Sequence, residues 1–298
     1  MDIFITGATG WIGSSVADHL LAAGHTVTGL ARSDASADAL ERKGIRVLRG
    51  GLDDLDILRA GADKAEAVVH LANKHDFTNP AVMNKAERDT VQTIGDTLAG
   101  SPRPFALASG LFCVAPGRIA TELDRSPFHG VDSSRGGSEN LALELAQQGV
   151  RTIVTRFAPS VHGAGDYGFV AGLVGIARAK GVSAYIDDGA NRWAAVHRLD
   201  AGRLVQLAVD ERTPAGAILH AAAETGIGTR EIAEAIGRGL RLPVVSIPAA
   251  AAGEHFGWLS RFFGTDMAAS SAATSALLGW KPEHPTLFED LDSGYYYL

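Results

Sequence analysis

Three glycines near the start of the chain have the spacing of a phosphate-binding loop. Gly7, Gly10 and Gly13 stand in the segment TGATGWIG, between a short apolar run and a stretch with helical periodicity. In such a loop one glycine forms the tight turn, one lets the backbone approach a pyrophosphate and one lets helix pack on strand. The first N–H groups of the helix then face the phosphates. The residues that this loop offers to a dinucleotide are Gly7, Thr9, Gly10, Trp11, Ile12 and Gly13.

The residues after the second apolar run bear on the choice of dinucleotide. An acid at this place usually holds the ribose 2′-hydroxyl of NAD, whereas an arginine accommodates the 2′-phosphate of NADP. Arg32 and Ser33 therefore favour NADP(H), although Asp34 follows directly and counts against that preference. The other interpretation of Arg32 is a solvated arginine at a strand end. The predicted cofactor is NADP(H), with NAD(H) as the alternative.

Polar residues that follow other predicted strands are the candidates for catalysis. Ser109 follows the fifth strand and could polarise a substrate carbonyl, or simply cap a turn. His75 follows the fourth strand beside Lys74, and both His162 and Tyr167 follow the sixth. Open α/β sheets bind ligands at the carboxyl ends of their strands, and histidine titrates near neutral pH. One of His75, His162 and Tyr167 is expected to move the proton, with packing or solvation as the alternative for each.

Strand and helix patterns alternate along the first half of the chain. Apolar strand patterns cover residues 2–6, 25–30, 45–48, 67–71, 105–109 and 152–156, with helical patterns between them. Such alternation produces right-handed crossovers and a parallel sheet that is covered on both faces. We therefore predict an α/β protein with a doubly wound parallel Rossmann sheet and a small, mainly helical C-terminal substrate lobe.

Two parts follow from that pattern. Residues 1–157 are predicted to form the NADP(H)-binding domain and residues 158–298 the substrate-binding lobe. Later helices are expected near 169–179, 199–209 and 229–240, and residues 190–220 are expected to return in part to the Rossmann core, with a strand near 217–220.

Composition limits the functional class. Of the 298 residues 46% are hydrophobic, and the net charge of −7 comes with scattered Lys and Arg, so no basic stripe is present to bind nucleic acid. Cys113 is the one cysteine, which excludes an intramolecular disulfide; we interpret it as a small buried hydrophobe. The histidines lack metal-ligand spacing, and no metal site is expected. No apolar stretch approaches the roughly 20 residues of a membrane span, and the N-terminus lacks a leader pattern. A cytoplasmic protein with a small-molecule substrate is expected, without a membrane or nucleic-acid partner.

The sequence resembles the extended or atypical branch of the short-chain dehydrogenase/reductase superfamily, the group known as NAD-dependent epimerase/dehydratase-like, over nearly its whole length. The matching segments are TGATGWIG at 6–13, GLDD at 51–54, HLA at 70–72, ASG at 108–110, VHG at 161–163 and VHRLD at 196–200. The resemblance implies that further cofactor contacts come from Leu52, Asp53, Leu71, Ala72 and Val161. It also implies a possible homodimer through the helices near 81–98 and 138–148.

The resemblance breaks at the catalytic pair. The family expects Tyr-x-x-x-Lys after the fifth strand, where this sequence has Arg135 and Glu139. The family's tyrosine passes a proton because a nearby lysine lowers its pKa, whereas arginine is not deprotonated in proteins. The resemblance therefore implies an NADP(H)-dependent oxidoreductase of atypical type for a small carbonyl or alcohol. The alternatives are a non-catalytic NADP(H)-binding sensor or regulatory protein and, second, a sugar-nucleotide-type epimerase or dehydratase.

Overall fold

A computed structural model describes residues 1–76, 79–209 and 213–298 of the chain. Its strands are β1 (Asp2–Thr6), β2 (Thr26–Ala31), β3 (Arg46–Arg49), β4 (Ala67–His70), β5 (Pro104–Gly110), β6 (Arg151–Phe157), β7 (Ser160–His162), β8 (Ser183–Ile186), β9 (Arg192–His197), β10 (Ala217–Ala221), β11 (Glu224–Gly228) and β12 (Val244–Ile247). Its α-helices are α1 (Trp11–Ala22), α2 (Asp34–Glu41), α3 (Leu55–Lys64), α4 (Pro80–Leu98), α5 (Ser138–Gln147), α6 (Phe169–Lys180), α7 (Arg198–Ala208), α8 (Thr229–Leu240), α9 (Ala252–Phe256), α10 (Ser260–Phe263), α11 (Ala272–Leu278) and α12 (Leu287–Asp292).

The central sheet is parallel, and seven of the strands in the described ranges form it in the order β10–β6–β5–β4–β1–β2–β3. From β1 the chain winds outward to β3, then crosses back to β4 and continues in the other direction. The switch point therefore lies between β1 and β4, where Thr6 is the register partner of His70. The prediction of a doubly wound parallel Rossmann sheet is confirmed, and this crevice is where such sheets bind ligands.

The strand β1 is apolar along its length because helices cover both faces of the sheet. Ile3 and Ile5 point into one core with residues of α1 and α7. Phe4 points into the other core, with residues of α3, α4 and α5. Successive side chains of a strand alternate between faces, so a doubly covered strand has apolar residues at consecutive positions.

The second half of the chain contains small sheets as well as helices. Strands β11, β9 and β7 form one sheet, β12 pairs with β8, and β10 joins the central sheet beside β6. The return of the strand at 217–220 is confirmed by its pairing with β6, while the sequence pattern missed β7, β8, β9, β11 and β12. These strands are short and lack clear alternation. Among the described residues no helix is both long and apolar enough to cross a membrane.

Helices α1 and α7 pack against each other with very little space between them. An ideal Cβ on Gly202 would lie 2.2 Å from Ser15 Oγ and 3.0 Å from the Ser15 carbonyl carbon. Both helices precede strands of the parallel central sheet, so their N-termini lie at its carboxyl edge. Glycine at position 202 therefore sets how closely α7 approaches the helix that follows the glycine loop.

We expect Gly202→Ala to destabilise the protein by about 1–3 kcal/mol, the usual cost of overpacking a tight contact. The matched control is Gly175→Ala on α6, where the added methyl group meets no atom within 4 Å. The control should be stabilised by about 0.5–1 kcal/mol, because alanine loses less backbone entropy than glycine in a helix. Urea unfolding measures both free energies; equal effects of the two substitutions would contradict the packing argument.

Candidate functional site

Two glycines of the loop have no room for a side chain. Gly7 has φ +76°, and a Cβ there would lie 2.7 Å from the Ala72 backbone nitrogen. A Cβ on Gly13 would lie 2.0 Å from the Gly7 carbonyl oxygen. Gly10 precedes α1 and supplies no side-chain cap, and the backbone N–H of Trp11, the first residue of α1, donates to the Tyr167 hydroxyl oxygen. The loop and the end of β4, with Leu71 and Ala72, thus form one surface at the switch point.

The end of β2 separates the charges that bear on cofactor choice. Asp34 is engaged with Arg49, whose Nη1 also donates to the Ser33 carbonyl oxygen at 2.7 Å. Ser33 caps α2 by accepting from the Ser36 N–H at 3.2 Å. Arg32 is exposed and forms no ion pair with the residues that the structure describes. The guanidinium of Arg32 is thus available to an anion, whereas the carboxylate of Asp34 is ion-paired with Arg49.

The loop after β3 lies near this strand end. A Cβ on Gly51 would lie 3.9 Å from Arg32 Cδ. The Leu52 carbonyl oxygen accepts from Thr90 Oγ1 at 3.5 Å, and Asp53 pairs with Lys74 at 2.7 Å. The structure therefore brings Arg32, Leu52 and Asp53 to one side of the glycine loop.

A buried ion pair adjoins Ser109 at the end of β5. Arg156 of β6 is 0% exposed, and its Nε donates to Glu139 Oε2 at 3.1 Å. Its Nη2 donates to the Asp124 carbonyl oxygen at 2.7 Å, and its Nη1 lies 3.1 Å from His220 Nε2. The Ser109 hydroxyl donates to Glu139 Oε2 at 2.6 Å. Glu139 thus receives the hydrogen bonds of a buried cation and of the candidate catalytic serine.

A second ion pair lies beside Ala108, the residue before Ser109. Arg135 Nη2 donates to Glu87 Oε1 at 2.6 Å and to the Ala108 carbonyl oxygen at 3.0 Å. Glu87 is a fully buried residue of α4, and its other oxygen accepts from Asn73 Nδ2 at 2.9 Å. The sequence interpretation missed Glu87. A carboxylate on the helix face that also carries Met83, Ala86 and Thr90 was the available signal.

Burial and charge act in opposite directions on Glu87. Burial alone would raise the pKa of the Glu87 carboxyl, because it penalises the charged form. The Arg135 guanidinium, together with His70 and Asn73, outweighs that penalty and lowers the pKa of Glu87 to about 2. His70 is held in turn by Thr6, whose Oγ1 lies 2.7 Å from His70 Nδ1. Glu87 is therefore an anion at neutral pH and fixes the position of Arg135.

An unusual turn directs Arg135 toward β5. Arg135, Gly136 and Gly137 all have left-handed backbone angles, with φ of 53°, 60° and 62°. A Cβ on Gly136 would lie 2.2 Å from the Asn84 carbonyl oxygen, and one on Gly137 would lie 2.7 Å from the Gly130 nitrogen. Only glycine fits these two positions without strain. Arg135 thus precedes α5 on a left-handed turn and does not lie on the helix itself.

A cleft opens between these groups. It is lined by Ser109, Gly110, Phe112, Ser126, Phe128, Ser134, Arg135, Gly137, Ser138 and Glu139. The rings of Phe112 and Phe128 are nearly parallel, with centroids 6.1 Å apart. Cys113 nearby is half-buried with φ +57°, so the expectation of a buried cysteine is wrong. The cleft offers serine hydroxyls, a cation and apolar ring surface to a small molecule.

The three proton-donor candidates lie in different surroundings. His75 donates its backbone N–H to Asn73 Oδ1 at 2.9 Å; partial burial, then Arg135, lower the pKa of its ring. His162 is fully buried, and its Nδ1 lies 2.5 Å from Asp290 Oδ2. Tyr167 is 68% exposed and packs edge-on against Trp11, at 5.6 Å between ring centroids. None of the three lines the Ser109 cleft, but His75 lies close enough to Arg135 for that cation to lower the pKa of its ring.

Val161, a predicted cofactor contact, and His197, the residue before α7, both have structural contacts. The Val161 carbonyl oxygen accepts from the Trp11 indole N–H at 2.7 Å, which ties β7 to the glycine loop. His197 caps α7 by accepting from the Leu199 N–H at 3.2 Å, as its position before a helix indicates. Within the described ranges no cluster of three or more His, Cys, Asp or Glu side chains is arranged to hold a metal ion.

Comparison with known proteins agrees with this geometry. Residues 3–94 match the family described as NAD dependent epimerase/dehydratase. An uncharacterized protein of Schizosaccharomyces pombe is 44% identical over 298 residues, which is 100% of both chains. The chain belongs to the NAD dependent epimerase/dehydratase family.

More distant relatives and structural neighbours have described activities. A 4-hydroxy-2-methyl-3-oxo-4-farnesyl-3,4-dihydroquinoline-1-oxide ketoreductase of Stigmatella aurantiaca is 25% identical over 273 residues, covering 86% of this chain and 80% of that protein. The dTDP-glucose 4,6-dehydratase of Streptomyces venezuelae, solved with NAD bound, is 18% identical with a TM-score of 0.79, covering 100% of this chain and 97% of that one. At that identity the likeness to the dehydratase shows the fold alone.

We expect Glu87→Gln to lower the free energy of unfolding by about 3 kcal/mol at neutral pH, because it leaves Arg135 without its buried counter-charge. The pKa of Glu87 is about 2 in the folded state, below the value of about 4.3 for an unfolded chain. Its stabilising effect is therefore complete above about pH 5 and is lost as the pH falls toward 2.

Urea unfolding of both proteins between about pH 7 and pH 3 measures this difference. The gap between wild type and Glu87→Gln should stay constant down to about pH 5 and narrow below it. Glu144→Gln, at an exposed position of α5, is the control and should show almost no gap. A gap for Glu87→Gln that is independent of pH would mean that the carboxylate is not paired in the folded state.

Proposed function

We propose that this member of the family is an NADP(H)-dependent oxidoreductase that acts on a small carbonyl or alcohol. The observation that carries the proposal is the placement of the Ser109–Arg135 cleft and the glycine loop at the same edge of one parallel sheet. The likeness to a ketoreductase over 86% of the chain supports carbonyl chemistry. The nicotinamide, when bound, supplies or accepts the hydride, and the chain supplies orientation, polarisation and a proton path.

The preference for NADP(H) rests on the charges at the end of β2. A 2′-phosphate needs a free cation, and Arg32 has no acidic partner among the described residues. The acid that would favour NAD(H), Asp34, is engaged with Arg49. Arginine can bind a phosphate through two parallel hydrogen bonds.

The hydrogen bond from Ser109 changes the role first expected of it. A serine hydroxyl has one proton to donate, and that of Ser109 is directed to Glu139 at 2.6 Å. Ser109 Oγ therefore offers lone pairs to the cleft and accepts from a substrate hydroxyl or a bound water. Polarisation of a carbonyl must then come from another donor.

Arg135 is that donor in our proposal. Its Nη2 is occupied by Glu87 and Ala108, its Nε is buried without a hydrogen-bond partner, and its Nη1 makes no hydrogen bond with the described residues. The guanidinium remains charged at all accessible pH values. It can stabilise the negative charge that develops on a carbonyl oxygen during hydride transfer, in the manner of an oxyanion hole.

Hydride transfer to a carbonyl carbon leaves an alkoxide oxygen that must receive a proton. In this scheme the proton comes from His75, directly or through water. Partial burial and the nearby Arg135 lower the pKa of His75 below its usual value. The protonated donor is consequently the minor species at neutral pH, and reduction should slow as the pH rises through that lowered pKa. None of the three candidates lines the cleft, and His75 is preferred because Arg135, which does line it, acts on the His75 ring.

A non-catalytic NADP(H) sensor is the second candidate. It is favoured by the same ion pairs, because the positions matched to the family's Tyr and Lys both hold charged residues with fixed partners. A sensor would bind NADPH and never oxidise it with any of a broad panel of carbonyl compounds. That outcome would overturn the oxidoreductase proposal.

We expect the wild type to bind NADPH about tenfold to a hundredfold more tightly than NADH, the range that one or two charge-assisted hydrogen bonds provide. Arg32→Ala should abolish most of this preference by weakening NADPH binding alone. Arg42→Ala, at the residue that follows α2, is the control, because the Arg42 Nε donates to the Asp38 carbonyl oxygen. Calorimetry with both nucleotides measures the ratio; equal affinities in the wild type would contradict the NADP(H) assignment.

With a carbonyl substrate found by the panel, we expect Arg135→Gln to reduce kcat by about a hundredfold to a thousandfold, the usual effect of removing an oxyanion donor. KM and NADPH affinity should change little, because the loss concerns charge in the transition state. Arg125→Gln, at an exposed position on the loop before α5, is the matched control and should retain wild-type turnover.

The same assay tests the proton donor. His75→Ala should lower kcat by about a hundredfold and flatten the pH profile between about pH 5 and 8. Turnover by Arg135→Gln equal to that of Arg125→Gln would rule out polarisation by Arg135. A wild-type profile without pH dependence would rule out His75.

A further inference from the structure

Arg198 lies directly over the first residue of the helix that follows the glycine loop. Its Cζ is 4.6 Å from the centroid of the Trp11 ring. Trp11 follows Gly10, and its indole N–H donates to the Val161 carbonyl oxygen at 2.7 Å, which fixes the orientation of the ring. A guanidinium stacked on an anchored indole has a defined position. Arg198, although distant in sequence, therefore has a fixed place next to the loop.

The packing of α7 on α1 shows where Arg198 lies along the axis of α1. Arg198 is the first residue of α7, as Trp11 is of α1. One helical turn further on, Gly202 of α7 contacts Ser15 of α1. The pairs Arg198–Trp11 and Gly202–Ser15 have the same spacing, so the two helices run side by side with their first turns level. Arg198 thus starts its helix level with the first turn of α1, and its guanidinium lies over the ring of Trp11 in that turn.

Arg198 has no oppositely charged partner among the described residues. It forms no ion pair and no hydrogen bond with the residues that the structure describes, although it is half-buried and the chain has a net charge of −7. Other half-buried arginines are paired, for example Arg192 with Asp266 at 2.9 Å. The first turn of α1 also contains no acid. A cation and a positive helix end thus adjoin without an anion between them.

The path of the Arg198 side chain depends on the absence of a side chain at Gly163. Gly163 has φ +142°, and a Cβ there would lie 3.1 Å from Arg198 Cγ and 3.0 Å from His197 Nε2. A side chain at this position would displace the aliphatic part of Arg198. The backbone after β7 thus leaves the space through which Arg198 reaches Trp11.

From these contacts we infer that Arg198 binds the pyrophosphate of the dinucleotide, so that the second half of the chain completes the cofactor site of the glycine loop. The inference rests on the proposed function, because it requires that the loop binds a nicotinamide dinucleotide. The pyrophosphate is common to NADPH and NADH. Arg198 should therefore add affinity for both nucleotides equally, whereas Arg32 discriminates between them.

The test is calorimetry of the full chain with NADPH and with NADH. Arg198→Gln keeps a planar polar group beside Trp11 and removes the charge, so both affinities should fall by about tenfold to a hundredfold with an unchanged ratio between them. Arg198→Lys keeps the charge and should recover most of the loss. Arg203→Gln, at an exposed position one turn later on α7, removes the same charge and should bind as the wild type does.

The other possible outcomes of these binding measurements also decide whether the inference holds. Affinities of Arg198→Gln equal to those of Arg203→Gln would overturn the inference and leave the proposed function intact. A loss for NADPH alone would assign Arg198 to the 2′-phosphate instead. If Arg198→Lys bound the nucleotides as weakly as Arg198→Gln does, the stacking on Trp11 and not the charge would account for the loss of affinity. That result would also overturn the inference. A wild type that bound neither nucleotide would overturn the proposed function, and this inference with it.

Discussion

The buried guanidinium of Arg156 imposes a requirement that organises the end of the central sheet. A cation without solvent contact needs a counter-charge and partners for its remaining N–H groups, and removal of one member of such a pair typically costs about 3–5 kcal/mol. Glu139 meets this requirement from the first turn of α5, where a carboxylate also interacts favourably with the helix dipole. The same carboxylate accepts the hydrogen bond of the Ser109 hydroxyl. The burial of Arg156 therefore determines both the packing of α5 on β6 and the direction of the Ser109 hydrogen bond.

The second ion pair holds a strained turn in place. A non-glycine residue with left-handed angles costs of order 1–3 kcal/mol and persists where its surroundings determine it. Arg135 has such angles, and its guanidinium is held by Glu87 of α4 and by the Ala108 carbonyl oxygen. Because α4, β5 and the turn before α5 all contribute, the cation does not need to reorganise when charge develops nearby. Preorganised charge of this kind is what makes electrostatic catalysis effective.

The features predicted from the sequence are those encoded locally. Glycine spacing at 7, 10 and 13 and the strand–helix alternation specified the Rossmann sheet, because each signal lies within a short segment. The ion pairs had no such signal: Arg135 and Glu87 are 48 residues apart, and Arg156 and Glu139 are 17 apart. The sequence predicted a helix near 138–148, but it did not predict the consecutive left-handed angles of Arg135, Gly136 and Gly137 before it, because the close contacts of this turn with Asn84 and Gly130 are tertiary. The short strands of the second half were missed for a related reason, since their partners are distant in sequence.

The cofactor loop is therefore less autonomous than its motif suggests. Trp11, the first helical residue of the loop, donates to Val161 across 150 residues of sequence and lies under Arg198. The close approach of α1 and α7 at Gly202 keeps these contacts in register. A rigid connection of this kind means that ordering the loop around a ligand also orders the start of α7 and the end of β7. Since both of these elements lie in the half of the chain predicted to hold the substrate, occupation of the two parts of the site should be thermodynamically linked, and linkage requires each ligand to change the affinity for the other by the same factor.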